Sequence, residues 1–110
     1  MTVPNAEQAI IASEKLTGYL LNLSHRRGAA KARLLLNFGY QSDSPQTLEA
    51  DLRTQHLSLD VTSTSTNAYG VVYEIEGPIT TPSGRVVRFC SVWQIDTGAD
   101  VPRFVTMYPR

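Results

Sequence analysis

One hundred and ten residues, 42% hydrophobic and 18% charged, suit one globular domain whose core needs neither disulfides nor metal. Cys90 is the single cysteine and excludes an internal disulfide; no apolar run is long enough to span a bilayer, and the N-terminus lacks the basic and apolar regions of a secretion signal. The formal net charge is zero, yet Lys15, Arg26, Arg27, Lys31 and Arg33, with His25 among them, lie in a segment free of acids that ends before Asp43. The expectation is therefore a single cytoplasmic domain, residues 1–110, with a basic patch that is either a solvated helix face or a phosphate-binding surface.

In chain order, residues 3–12 are ambiguous between a capped turn, with Asn5 and Gln8, and an extended segment. Ser13 is a candidate N-cap for a short helix that ends near Asn22, with Leu16, Tyr19 and Leu20 at helical spacing. Ser24 is a candidate cap for a second helix over residues 26–38, whose apolar face collects Gly28, Ala32, Leu35 and Leu36. Gly39 suits the left-handed position past its end. Ser44 and Pro45 then start a third helix that closes near His56, with Leu48 and Leu52 inward and Glu49 paired to Arg53 outward. His56, at a helix end, reads as a cation complementing the dipole.

Residues 57–62, LSLDVT, alternate and predict a half-buried strand, whereas residues 63–68, STSTNA, read as a flexible turn. Three further strands follow between Tyr69 and Arg110. A symmetric hairpin around Pro78–Gly84 sets Glu74 opposite Arg88, and the loop Thr97–Val101 sets Val92 opposite Thr106 and Cys90 opposite Tyr108. One face then gathers Val71, Tyr73, Ile75, Val87, Phe89, Trp93, Ile95, Val105 and Met107, with Ser91 and Arg103 as exceptions. The other gathers Glu74, Glu76, Arg88, Cys90, Gln94, Phe104, Thr106 and Tyr108. The predicted fold class is α+β: two or three N-terminal helices packed on one face of a four-stranded antiparallel meander sheet. The second face is either an ordinary solvent side with a Glu74–Arg88 pair, or a rigid platform for function.

Neither histidine lies near Cys90 in sequence, and no metal-ligand spacing, P-loop, GxGxxG or GxSxG pattern occurs. His25 stands at a loop-to-helix junction beside two arginines, with Lys31 further along. It is either a surface histidine or an acid or base beside cations that hold a phosphodiester. Phe104 and Tyr108 offer rings on which bases could stack.

Two stretches carry a family resemblance. Residues 15–40 read K-L-T-x-Y-L-L-N-x-x-H-x-x-G-x-x-K-A and then Gly-Tyr; residues 69–109 read Y-G-x-x-Y-E-x-E-G-P, then P-x-G-R, V-W and P-R-x-V-T-x-Y-P. Together they resemble the DUF6883 family, itself similar to C-terminal domains of bacterial polymorphic toxins and, in layout, to the barnase–EndoU–colicin–RelE group of ribonucleases. The resemblance implies metal-independent RNA cleavage, without cofactor, by attack of the 2′-hydroxyl on phosphorus. It implies tRNA or rRNA as substrate and an immunity or other protein as partner. Among the positions that match are His25, Lys31, Thr106 and Tyr108. The expected roles are His25 as acid or base, Lys31 with Arg88 as phosphate-binding cations, and Thr106 with Tyr108 as positioning groups; Arg88 comes from the sheet-face assignment. Arg26 and Arg27 follow His25 where the family often has proline. The alternative is a non-catalytic binding module on the same fold.

Overall fold

A computed structural model describes all residues, Met1–Arg110. Three short helices precede a four-stranded antiparallel sheet of order β1-β2-β3-β4, so the α+β meander expected from the sequence is the observed fold. Helix α1 spans Ser13–Lys15 and widens into a π-helical turn over Leu16–Leu20; α2 spans Ala29–Asn37; α3 spans Pro45–Asp51 and ends in a second π turn, Leu52–His56. In both π turns the backbone bond reaches back five residues, Leu21 N–H to the Leu16 carbonyl at 2.8 Å and Leu57 N–H to the Leu52 carbonyl at 2.9 Å. The strands are β1 Ser63–Asn67, β2 Gly70–Thr80, β3 Val86–Asp96 and β4 Arg103–Pro109.

Helical periodicity is largely confirmed. Gly28, Ala32 and Leu35 of the α2 stripe are buried, and Leu36 is partly so. Leu48 and Leu52 face the core, and Arg53 meets Glu49 at 3.0 Å. The helix starts differ. Ala12, not Ser13, occupies the N-cap position of α1. Helix α2 begins at Ala29 rather than 26, because the first amides after His25 turn onto the His25 ring instead of entering the helix.

The first strand also differs. Leu57, Leu59 and Val61 are more buried than Ser58, Asp60 and Thr62, as the alternation implies, but these residues form no strand, and only Thr62 at their end joins β2, through its N–H on the Glu74 carbonyl at 2.8 Å. Their amides serve other partners: Leu57 closes the α3 π turn, Leu59 N–H bonds the His56 carbonyl and Val61 N–H bonds the Met1 carbonyl. The polar stretch Ser63–Asn67, expected to be a flexible turn, is β1 instead. Asn67 explains it: its side-chain oxygen accepts from the amides of Tyr69 and Gly70 at 2.8 and 3.0 Å, making a tight turn that folds β1 onto β2.

Between β2 and β3 the turn is tighter than the symmetric hairpin assumed. Glu74 pairs with Val92, four residues along from the expected Arg88, and Arg88 pairs with Pro78. The loop Thr81–Arg85 closes through Thr81, whose amide and hydroxyl both donate to the Arg85 carbonyl at 2.9 and 2.8 Å. An even slip keeps every side chain on its assigned face, so the face assignment survives while the Glu74–Arg88 pair does not. The β3–β4 register is as expected at Cys90–Tyr108 and Val92–Thr106, and a bulge at Val92/Trp93 then shifts β4 by one. Beyond the bulge Phe104 faces the core, 5.2 Å from the Trp93 ring, and is no base-stacking platform. The same slip turns Arg103 to the other face, where it holds Asp96 at 2.8 Å. The arginine that seemed misplaced on an apolar face thus has a carboxylate.

Ile75, Ile79, Phe89, Trp93, Phe104 and Met107 from the sheet and Leu16, Leu20, Leu35, Leu48 and Leu52 from the helices form one buried cluster. His56 lies inside this interface, fully buried, and is not an exposed cation at a helix end. Its Nδ1 accepts from the Ser91 hydroxyl at 2.6 Å, its Nε2–H donates to the Gly77 carbonyl at 3.1 Å, and Trp93 Nε1–H donates to Ser91 Oγ at 2.9 Å. Ser91, the polar exception on the core face, is the hub of that network. No helix is long and apolar enough to cross a membrane.

Candidate functional site

Helix α2 reaches β4 at Thr106, in the middle of that strand. Lys31, in the first turn of α2, extends its ammonium to Thr106 Oγ1 at 3.0 Å and to the Tyr19 hydroxyl at 3.2 Å. The same ammonium lies 5.4 Å from the Tyr19 ring centroid and 6.0 Å from that of Tyr108. Such contacts hold a cation by about 0.5–2 kcal/mol each without neutralising it. The protein has four ion pairs, and Lys31 belongs to none of them. A half-buried charge attended only by hydroxyls and rings is available to an anion.

The hydrogens of this cluster follow from its donors. An ammonium donates only, so Thr106 and Tyr19 accept from Lys31, and their own hydroxyl protons remain to be given elsewhere. His25 adds to the pattern. Its Nδ1 accepts from the backbone amides of Arg27 at 3.0 Å and Gly28 at 2.9 Å, which places the proton of the neutral ring on Nε2. The ring packs edge-on against Tyr19, with centroids 4.8 Å apart. Gly28 is required for this packing. A Cβ there would stand 2.7 Å from the Tyr19 carbonyl oxygen and 3.0 Å from its ring, so any side chain would force Tyr19 to shift.

Between α1, the loop after it and the β4 edge lies an open cleft of about 550 Å³, lined by His25, Lys31, Tyr19, Thr106, Val105, Glu14 and Lys15 among others. Sequence reasoning thus selected three groups that share one concavity, His25, Lys31 and Thr106. Tyr108 adjoins them through the Lys31 ammonium. Arg88 stands apart, exposed near the β2–β3 turn and tied to β4 only through its carbonyl, which accepts from the Arg110 amide at 2.9 Å. Tyr19 went unrecognised. As part of a helical stripe it looked like core, and its hydroxyl identified it only once Lys31 was seen to reach it.

On the open face beside the cleft, Tyr108 and Cys90 pair across β4 and β3, with Glu74 and Glu76 on β2. The Tyr108 hydroxyl is pushed up to about 12 by the neighbouring Cys90 thiol, by burial and by the Glu74 charge, so it is a donor at neutral pH. Burial pushes the fully buried Cys90 thiol up as well; the neighbouring Tyr108 hydroxyl pulls it down and the Glu74 charge adds to the rise. The thiol donates to Glu74 Oε2 at 3.6 Å. Glu76 is taken up by Arg110 at 2.7 Å, and that pairing raises the Arg110 guanidinium. No trio of His, Cys, Asp or Glu side chains converges closely enough to hold a metal ion.

Among solved structures the chain is similar to one in a contact-dependent growth inhibition toxin–immunity protein complex from Klebsiella pneumoniae 342. The two share 19% identity at a TM-score of 0.72, over 92% of this chain and 99% of that one. At that identity the likeness is one of fold. No curated protein matches. The family model of the domain of unknown function DUF6883 matches residues 2–110, and the chain therefore belongs to that family.

Proposed function

We propose that this domain is a metal-independent endoribonuclease of the toxin type, cleaving tRNA or rRNA in the cytoplasm of the cell it attacks. The observation that carries the reading is the unneutralised Lys31 ammonium, fixed by Thr106 and Tyr19 in a cleft that His25 also lines. Lys31, the Thr106 hydroxyl, the Tyr19 hydroxyl and His25 Nε2–H are four donors that suit the non-bridging oxygens of a phosphodiester. Donors fixed before substrate arrives stabilise the charge that grows on phosphorus without reorganising. His25 acts here as a donor and anchor of the loop, because its Nδ1 lone pair is committed to the backbone. Tyr108 positions Lys31 from the sheet side. Arg88, further along the same face, is suited to a phosphate beyond the scissile one.

The similar chain was solved in a toxin–immunity complex, which supports a toxin setting and a protein partner for this domain as well. A toxin active on RNA needs such a partner in the cell that makes it.

The test is incubation of the purified chain with total tRNA and ribosomal RNA in excess chelator. New ends bearing 2′,3′-cyclic phosphate and 5′-hydroxyl groups are expected, and RNA that stays intact overturns the reading. Lys31→Ala and Thr106→Val should each lower kcat/KM about 10²- to 10³-fold, as loss of one preorganised donor does elsewhere. Expression of the wild-type chain should slow bacterial growth, and Lys31→Ala should relieve it.

A further inference from the structure

The donor cleft lacks a base. Attack by a ribose 2′-hydroxyl requires an acceptor for its proton, and His25 cannot serve while Nδ1 holds two amides. Glu14 lines the cleft from the single turn of α1, exposed and without a hydrogen-bond partner for its side chain. A carboxylate on a rigid strand lies on the other side of Thr106.

Glu74 pairs with Val92, and Val92 pairs with Thr106, so the three form one row across the open face. Strands lie ~4.8 Å apart, which separates the Glu74 and Thr106 backbones by roughly 10 Å, room for a ribose and its phosphate between their side chains. Glu74 is half-buried and absent from every ion pair, whereas Glu76, next along the same face, is bonded to Arg110. Its side chain receives one hydrogen bond, from the Cys90 thiol, and Cys90 in turn stands opposite Tyr108 across β3 and β4. These two neighbours hold their protons. The other charged groups on this side are Glu76 with its partner Arg110, Asp96 with its partner Arg103, Arg88 toward the β2–β3 turn, and the Lys31 ammonium; β1 presents only Ser63 opposite Glu74. Glu74 is thus the carboxylate of this face that no cation holds.

We propose that Glu74 is the general base of the RNA cleavage put forward above, an inference that rests on that reading. Its carboxylate takes the proton of the 2′-hydroxyl as that oxygen bonds to phosphorus. The bond from phosphorus to the 5′-oxygen breaks, the 5′-oxygen takes a proton from the Lys31 ammonium, and the products are a 2′,3′-cyclic phosphate and a 5′-hydroxyl end. Proton exchange with solvent restores the Glu74 carboxylate and the Lys31 ammonium. Cys90 and Tyr108 position the carboxylate and do not touch the reacting atoms.

The experiment compares wild type, Glu74→Gln, Glu74→Asp and Glu14→Gln on one RNA oligonucleotide across pH, with folding checked by circular dichroism. Binding is measured separately on the same oligonucleotide carrying a 2′-deoxy sugar at the cleavage site. Glu74→Gln should lose about 10²- to 10⁴-fold in kcat/KM, the range for removal of a general base, while its affinity for the inert oligonucleotide stays unchanged. It should also lose the acid limb that a carboxylate base gives the wild-type pH profile, and Glu74→Asp should keep that limb at a lower rate. If wild type cleaves and Glu74→Gln cleaves equally well with the limb intact, or if Glu14→Gln alone removes the limb, the role of Glu74 is overturned and the ribonuclease reading stands. If wild type does not cleave, both are overturned.

Discussion

At the scale of single residues, His25 shows how position can reassign chemistry. A histidine beside arginines suggested an acid or base, but its Nδ1 satisfies two amides that would otherwise lack partners at the approach to α2. Asparagine caps in the same manner but carries no Nε2–H. His25→Asn should therefore hold stability to within about 0.5 kcal/mol while lowering RNA cleavage, whereas His25→Ala should lose about 1 kcal/mol as well. Chemical denaturation and initial rates measured on both variants separate the two duties. Equal loss of stability in both would show that the ring is not the cap. Lys31 makes the complementary point. Its identity marked it as a cation in the sequence, but its freedom from any carboxylate is a property of the surroundings.

At the scale of elements, the joint between α3 and the sheet rests on His56, Ser91 and Trp93, all fully buried. Each hydrogen in this network has an acceptor, which requires neutral His56 with its proton on Nε2. Burial lowers the His56 pKa below its ordinary value, and the Gly77 carbonyl only partly offsets this. The unfolded chain titrates near 6.5 and binds the proton more readily than the folded one. The stabilisation is therefore fully present above about pH 6.5 and is lost as pH falls from there toward the folded value. The thermal midpoint should drop between about pH 7 and pH 5, and this slope should flatten in His56→Gln relative to wild type. Asp96, held below its usual carboxylate range by the Arg103 guanidinium, adds an acid loss only at lower pH. Ser91→Ala strands both the imidazole Nδ1 and the Trp93 N–H and should cost about 1–3 kcal/mol at neutral pH, measurable by denaturant titration. A pH-independent midpoint in wild type would contradict the neutral, buried assignment.

At the scale of the whole molecule, acidic and basic residues balance at ten each, so the protein as a whole has no net pull on RNA. On the ribonuclease reading proposed above, binding comes from the local cations around the cleft, Lys15 and Lys31 in its lining and Arg26 and Arg27 exposed beside His25. Affinity for single-stranded RNA should fall with salt, and each phosphate contact contributes about 0.7 to the slope of log K against log salt. Replacing both Arg26 and Arg27 with alanine should weaken binding evenly across sequences and reduce that slope by about 1.4. A slope that does not change would place RNA away from this loop.

Much of the architecture was legible because it is written in local periodicity. The α2 stripe, the Ser44–Pro45 start of α3, the Glu49–Arg53 pair and the two sheet faces each depend on residues a few positions apart. A face assignment even tolerates an error of four residues in the β2–β3 register, since side chains alternate with a period of two. The site was legible in part: His25, Lys31 and Thr106 were selected by residue type and family pattern, but nothing in the sequence placed them together. That juxtaposition spans 75 positions between Lys31 and Thr106 and depends on how α2 packs beside β4. Three further features were decided only by tertiary structure. Ser63–Asn67 is too polar to read as a strand and becomes one because Asn67 folds it onto β2. The bulge beside Trp93 reverses Phe104 and Arg103, and no periodicity signals a single inserted residue. Glu74 is left without a cation because the tight Thr81–Arg85 loop carries Arg88 beyond its reach. Periodicity states which way a side chain faces; only the packed chain states what it meets there.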